Sequence, residues 1–128
     1  MMSYLEKVQD IYNKLGTGHL LEAFEQYYHE DVVMEESNGE KHEGKAINRT
    51  REEQFVGSIA EFHGFGVDSI TSNETEGKTV VVSWMDVSFK DGNRIRMEQA
   101  AVQYWEGDHI IREKFYNNPE TFASWEQN

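Results

Sequence analysis

Residues 83–105 read SWMDVSFKDGNRIRMEQAAVQYW. Two alternating runs flank Asp91 and Gly92. Asp-Gly between such runs is a strong hairpin signal, because a type I′ turn needs positive φ at both central residues. Taken as a two-residue loop, it sets Met85 opposite Glu98 and Trp84 opposite Gln99. Alternation then gives two faces. The first carries Ser83, Met85, Val87 and Phe89 with Arg94, Arg96, Glu98, Ala100, Val102 and Tyr104. The second carries Val80, Val82, Trp84 and Asp86 with Met97, Gln99, Ala101, Gln103 and Trp105. A second two-residue turn at Gly107-Asp108 adds Ile111, Glu113, Phe115 and Asn117 to the first face, and Arg112, Lys114 and Tyr116 to the second.

Outward from the hairpin, Val67–Asn73 reads as a strand that turns through TEGK, and Ile110–Asn117 as the last strand. The N-terminal third is helical. Ser3 and Glu6 form a capping box, and Leu5, Val8, Tyr12 and Leu15 recur at helical spacing up to Gly16. Leu20, Leu21, Phe24, Tyr27 and Tyr28 line a second helix that ends near His29. Ile47, Phe55, Ile59 and Phe62 predict a third from Ala46 to about Phe62, broken by Gly64 and Gly66. SNGEKHEGK is a polar loop, and Asn118-Pro119 starts a short terminal helix with Phe122 and Trp125. This order is α+β: three main helices on one face of a curved antiparallel sheet, in one domain over 1–128.

Both sheet faces mix apolar and polar groups, where a sheet with one wet face separates them more cleanly. A second copy of the chain is the simplest cover for the second face. The expected homodimer therefore packs through Trp84, Met97, Gln103 and Trp105; the alternative is a twisted sheet whose edges curl onto the C-terminal tail.

With 128 residues, 38% of them hydrophobic and 12% aromatic, the chain has the material for one folded core. A formal charge of −12 argues for solubility and against nucleic acid or an anionic membrane as partner; a cationic partner is the lesser reading. There is no cysteine, so disulfides and thiolate chemistry are excluded, which fits a cytoplasmic protein. The N-terminus lacks the basic and apolar regions of a signal peptide. No apolar run approaches the roughly 18 residues of a membrane span. His19, His29, His42, His63 and His109 show no HxxxH or HxH spacing, so neither a metal site nor a cofactor is expected. Phosphate-binding glycine loops and GxSxG elbows are also missing.

The acids raise a sharper question in YYHEDVVMEES, residues 27–37. On a strand, Val32, Met34 and Glu36 share one face, and Glu35 shares the other with Val33. If Val32 and Met34 pack inward, Glu36 points inward too, where desolvation raises a carboxyl pKa toward the range useful for general acid–base work. Glu35 is then the solvated member of the pair. The alternative is a strand that ends at Met34 with both glutamates in a loop. Glu98 and Glu113 share the first face with Arg96 and Asn117, an arrangement that serves a structural ion pair as well as catalysis. His63 at the third helix end is a further candidate near a pocket.

Element order and three stretches, FEQYYHEDVVMEE, HEGKAI and AAVQYWEGDHIIREKFYNNP, resemble the nuclear transport factor 2-like superfamily and its SnoaL-like group. The resemblance spans essentially the whole chain. It implies a cone-shaped sheet wrapped around helices, a pocket in the mouth and dimerisation through the sheet. It also implies kinship with ketosteroid isomerase, polyketide cyclases, dehydratases and an epoxide hydrolase. On it, Glu36 falls at the isomerase's proton-abstracting aspartate and Tyr12 near its hydrogen-bonding tyrosine. The protonated aspartate falls near Ala100, with Glu98 one step along the same face. Asn117 stands where cyclases and epoxide hydrolases carry an acid, and an amide cannot act as a base.

The expected function is proton abstraction beside a carbonyl of a small apolar ligand. Glu36 is the base, Tyr12 and Glu98 are the donors, and Arg96, Asn117, Glu113, Tyr104, Phe55, Met85 and His63 are ligand contacts. The alternative is a non-catalytic ligand-binding or interaction domain of the same fold.

Overall fold

The structure, a computed structural model, describes residues 2–117. The expected helix at Asn118-Pro119, with Phe122 and Trp125, lies outside them. Elements follow in the order α1 (Tyr4–Gly16), α2 (Leu20–Tyr27), β1 (Tyr28–Glu35), β2 (Lys41–Glu43), α3 (Lys45–Ser58), β3 (Ile59–Asn73), β4 (Lys78–Phe89), β5 (Arg94–Glu106) and β6 (His109–Asn117). The strands form one sheet in the order β2-β1-β6-β5-β4-β3. All pairs are antiparallel except β1 with β6, which is parallel and so departs from the all-antiparallel expectation.

The capping box at α1 is present in both directions, with Glu6 N donating to Ser3 Oγ at 3.1 Å and Ser3 N to Glu6 Oε1 at 2.9 Å. Val8, Ile11 and Tyr12 turn inward from α1 and join Ala23, Phe24 and Tyr27 of α2, Val32 and Met34 of β1, and Val81 and Ile110 of the sheet. Val8, Val32, Val81 and Ile110 are completely buried; each contributes roughly 1.5–3 kcal/mol. Val87, Phe89 and Met97 form a second cluster, against which Phe55 of α3 packs.

α3 ends four residues before the expected Phe62. Ile59 already pairs with Phe89, and Lys90 N donates to Ser58 O at 2.9 Å, so the chain leaves the helix to cover the whole length of β4. The face of α3 also differs from expectation. Ile47 is 55% exposed, while Asn48 is buried and closes the helix start by donating from Nδ2 to the carbonyls of His42 and Gly44.

The hairpin holds the main correction. Met85 pairs with Met97 and Trp84 with Glu98, one residue off the expected register. The chain turns through Lys90, Asp91 and Gly92, closed by Phe89 N to Asn93 O at 2.7 Å and Gly92 N to Phe89 O at 2.9 Å. Gly92 takes φ 95°, a conformation that suits glycine. One extra turn residue moves every β5 side chain to the other face. Met97, Gln103 and Trp105 are therefore buried under the helices rather than offered to a second copy. Arg96, Glu98 and Tyr104 lie on the outer face with Trp84. A bulge between Tyr104 and Trp105 then shifts β6 by one more residue. The two shifts cancel, so Glu113, Phe115 and Asn117 face inward as expected, and Ile110 replaces Ile111 in the core.

Among the described residues, no helix is long and apolar enough to cross a membrane.

Candidate functional site

Between the concave face and the helices lies a cavity of about 150 Å³. Its walls come from every helix and from β1, β3, β4, β5 and β6. Much of the lining is aromatic. Phe24 stacks on Tyr28 with ring centres 4.8 Å apart, and Tyr12 stacks on Phe65 at 6.3 Å. Four charged residues also line it: Glu36, Arg51, Glu52 and Glu113.

Glu36 follows β1 directly. Its backbone N donates to Glu40 O at 2.8 Å, and Gly39 N returns to Glu36 O at 2.9 Å, so a tight turn fixes where the side chain starts. Val32 and Met34 are buried on the same side, and Glu36 lines the cavity beside them with Arg51 Nη2 donating to Oε1 at 3.3 Å. The inward reading of this strand holds. Glu35 points the other way, yet it is not solvated: only 7% is exposed, beneath Arg112 and Lys114. The hydrogen bond from Arg112 holds its carboxyl below the usual range, and Lys114 adds to the effect.

Glu113 is 2% exposed and ends a buried chain of hydrogen bonds. Trp105 Nε1 donates to Thr79 Oγ1 at 2.9 Å, Thr79 to Gln103 Oε1 at 2.7 Å, and Gln103 Nε2 to Glu113 Oε2 at 2.7 Å. From the opposite side, Tyr28 donates to Glu113 Oε1 at 2.5 Å. Burial pushes Glu113 up to about 7, against the pull of these two donors and with the Glu36 charge adding to the rise. Glu52 rises to about 8, first through burial and then through Glu113 and Glu36, with Arg51 opposing. Burial, with the Glu113 charge behind it, also keeps the Tyr12 phenol firmly protonated. Near neutral pH this wall can both give and accept protons.

Of the residues expected at the site, Glu36, Tyr12, Glu113, Asn117, Phe55 and Met85 all line the cavity. Asn117 Oδ1 accepts from Ser37 Oγ at 2.6 Å, which anchors it in the cavity wall. Glu98, Arg96 and Tyr104 do not reach it. Glu98 and Arg96 bond each other at 3.1 Å on the outer face, both more than half exposed, and Arg96 lies 4.2 Å from the Trp84 ring centre. Tyr104 sits between Lys78 and Arg112. His63 belongs to β3 rather than a helix end, and its Nε2 meets Ser88 Oγ at 2.7 Å, away from the cavity.

Sequence reading missed Tyr28, Arg51, Glu52 and Gln103. A signal for the α3 pair existed: counted back from Phe55 and Ile59, helical spacing puts Asn48, Arg51 and Glu52 on one face. Gln103 was hidden by the hairpin register. Tyr28 follows the apolar spacing of α2, which reads as helix core, but it opens β1.

A family model described as SnoaL-like domain matches residues 5–117. No curated protein sequence matches the chain. Among solved structures, a proposed isomerase from Bacillus subtilis is 18% identical with a TM-score of 0.80, covering 98% of this chain and 96% of its own. A proposed SnoaL-like polyketide cyclase from Mesorhizobium loti is 24% identical with a TM-score of 0.78, over 90% of this chain and 99% of its own. An LEH-like epoxide hydrolase from M. tuberculosis is 12% identical with a TM-score of 0.74, over 95% and 87%. At these identities the likeness concerns the fold alone.

Proposed function

The chain belongs to the SnoaL-like domain family, and from that premise we propose that its cavity binds a small, largely apolar carbonyl compound and moves a proton beside the carbonyl. The observation that carries this reading is the convergence of Glu36, Glu113 and the Tyr12 phenol on one aromatic-walled cavity. Glu36, ionised, takes the proton from the carbon next to the carbonyl. The C–H electron pair moves onto the carbonyl oxygen as an enolate. Tyr12 or protonated Glu113 donates a hydrogen bond to that oxygen, where negative charge develops. Where a C=C is conjugated with the enolate, return of the proton from Glu36 to its far carbon completes an isomerisation. Where the neighbouring carbon carries a hydroxyl, that group leaves as water with the proton Glu36 took, and the new C=C completes a dehydration. Asn117, on the cavity wall, orients the ligand.

The test is exchange of the acidic methylene protons of 2-indanone in D2O, followed by NMR. Wild-type protein should accelerate exchange, and Glu36→Gln should abolish the acceleration. Binding without exchange would overturn the catalytic step and leave a ligand-binding domain.

The proposed homodimer is confined to the outer sheet face. Val82 and Tyr116 are exposed there beside half-buried Trp84 and Val102, in place of the buried Met97, Gln103 and Trp105. Sedimentation at micromolar concentration decides it, since a mass near the monomer's 14.9 kDa would refute it.

A further inference from the structure

The charges around the cavity do not balance. Among the described residues, three carboxyls face it and one guanidinium does: Glu36 from the end of β1, Arg51 and Glu52 from α3, and Glu113 from β6. Arg51 is engaged by Glu36 at 3.3 Å. Glu113 has only neutral donors, the Tyr28 hydroxyl and the Gln103 amide. Glu52 is the outlier. Its side chain is half-buried and lines the cavity, and no hydrogen bond or ion pair reaches it from the described residues. A carboxyl set in an apolar cavity wall without a partner is costly unless a proton or a cation joins it. Aromatic residues, Tyr12, Phe24, Tyr28 and Phe55, complete the wall, and the face of such a ring attracts a cation.

Resting on the reading of this cavity as a ligand site, we propose that the ligand carries a positive charge: a small carbonyl compound bearing a protonated amine, its ammonium seated against Glu52 and its hydrocarbon against the rings, with Glu113 left protonated for the carbonyl oxygen. In the free protein a proton stands in for that cation at Glu52, which fits its raised value. The groups that set the balance at Glu52 are Glu113 on β6, Glu36 after β1 and Arg51 on α3. An ammonium favours ionised Glu52, so its binding releases a proton and strengthens as pH rises from about 6 to about 8. A neutral ligand that accepts a hydrogen bond from protonated Glu52 has the opposite dependence.

The experiment is calorimetric titration of the full chain with three ligands of one shape: 2-aminoindane, protonated at these pH values, and the neutral 2-indanol and 2-indanone. We expect 2-aminoindane to bind about tenfold more tightly than 2-indanol, with proton release seen as a heat that changes with the buffer's ionisation enthalpy. Its affinity should rise between about pH 6 and about pH 8. Glu52→Gln, near-isosteric and neutral, should bring the aminoindane-to-indanol ratio close to one. Binding of 2-indanone with no preference for the amine would overturn the charged-ligand inference and leave the carbonyl reading standing. Failure of all three to bind would overturn both. An amine preference that survives Glu52→Gln, or that weakens as pH rises, would overturn the assignment to this wall.

Discussion

Glu35 and Glu36 are adjacent in sequence and equally buried, yet they sit in opposite chemical worlds. Glu35 lies on the outer face, where Arg112 and Lys114 close over it and hold its carboxyl low. Glu36 lies on the inner face, where it shares the cavity wall with Glu52 and Glu113 and has Arg51 as its cation. Glu98 and Glu113 repeat the contrast, the first in an exposed pair with Arg96 and the second among a phenol and an amide. Burial alone therefore does not tell what an acid does. The side of the strand decides, because it selects whether cations or neutral donors and other acids surround the carboxyl.

The contrast can be broken from the inside first. Gln103→Leu removes the middle of the buried chain, leaving the Thr79 hydroxyl without its acceptor and Glu113 without one of its donors. The expected cost is about 3–4 kcal/mol, read from urea unfolding. The next effect is the pH dependence of stability. Folding raises Glu113 from 4.5 to about 7, so its contribution is fully present below about 4.5 and is lost as pH rises through about 7. The shift corresponds to on the order of 3 kcal/mol. Glu35 runs the other way: its contribution is present above the ordinary glutamate value and is lost as pH falls through its lowered folded value. Glu113→Gln should flatten the alkaline limb of the stability curve, and Glu35→Gln the acid limb. Exchange of these two outcomes would reverse the comparison.

Smaller effects sharpen the outer face. A Cβ on Gly66 would come within 2.3 Å of Trp84 Nε1, so Gly66→Ala must push the indole aside. We expect a loss of about 1–2 kcal/mol and a shift in tryptophan fluorescence. Glu98→Gln should change stability by less than about 0.5 kcal/mol, because its pair with Arg96 is exposed. A larger loss would show that the outer face is covered, as a dimer would cover it.

The fold was legible because its signals are local. Ser3 and Glu6 cap α1, the apolar spacing marks the helices, and Asp91-Gly92 marks the hairpin. The inward turn of Glu36 was legible for the same reason, since Val32 and Met34 sit two and four residues before it. What escaped was register. Whether the hairpin spends two residues or three depends on closure between Phe89 and Asn93, a backbone detail the residue types leave open. That single residue moved Glu98 and Arg96 out and Gln103 in. Glu113 was placed on the correct face because the bulge beside Trp105 undid the first shift. Glu52 escaped because a glutamate on a charged helix reads as solvent-facing until its spacing from Phe55 and Ile59 is counted.

Carboxyl titration by NMR, with the glutamate side chains labelled and assigned by single Gln substitutions, tests the central claim most directly. The account predicts a Glu113 midpoint near about 7 and a Glu52 midpoint near about 8, with Glu35 titrating below the ordinary glutamate range. If Glu113 and Glu52 both titrate with the surface glutamates near 4.5, the cavity wall holds no protons at neutral pH and the proton-handling account fails.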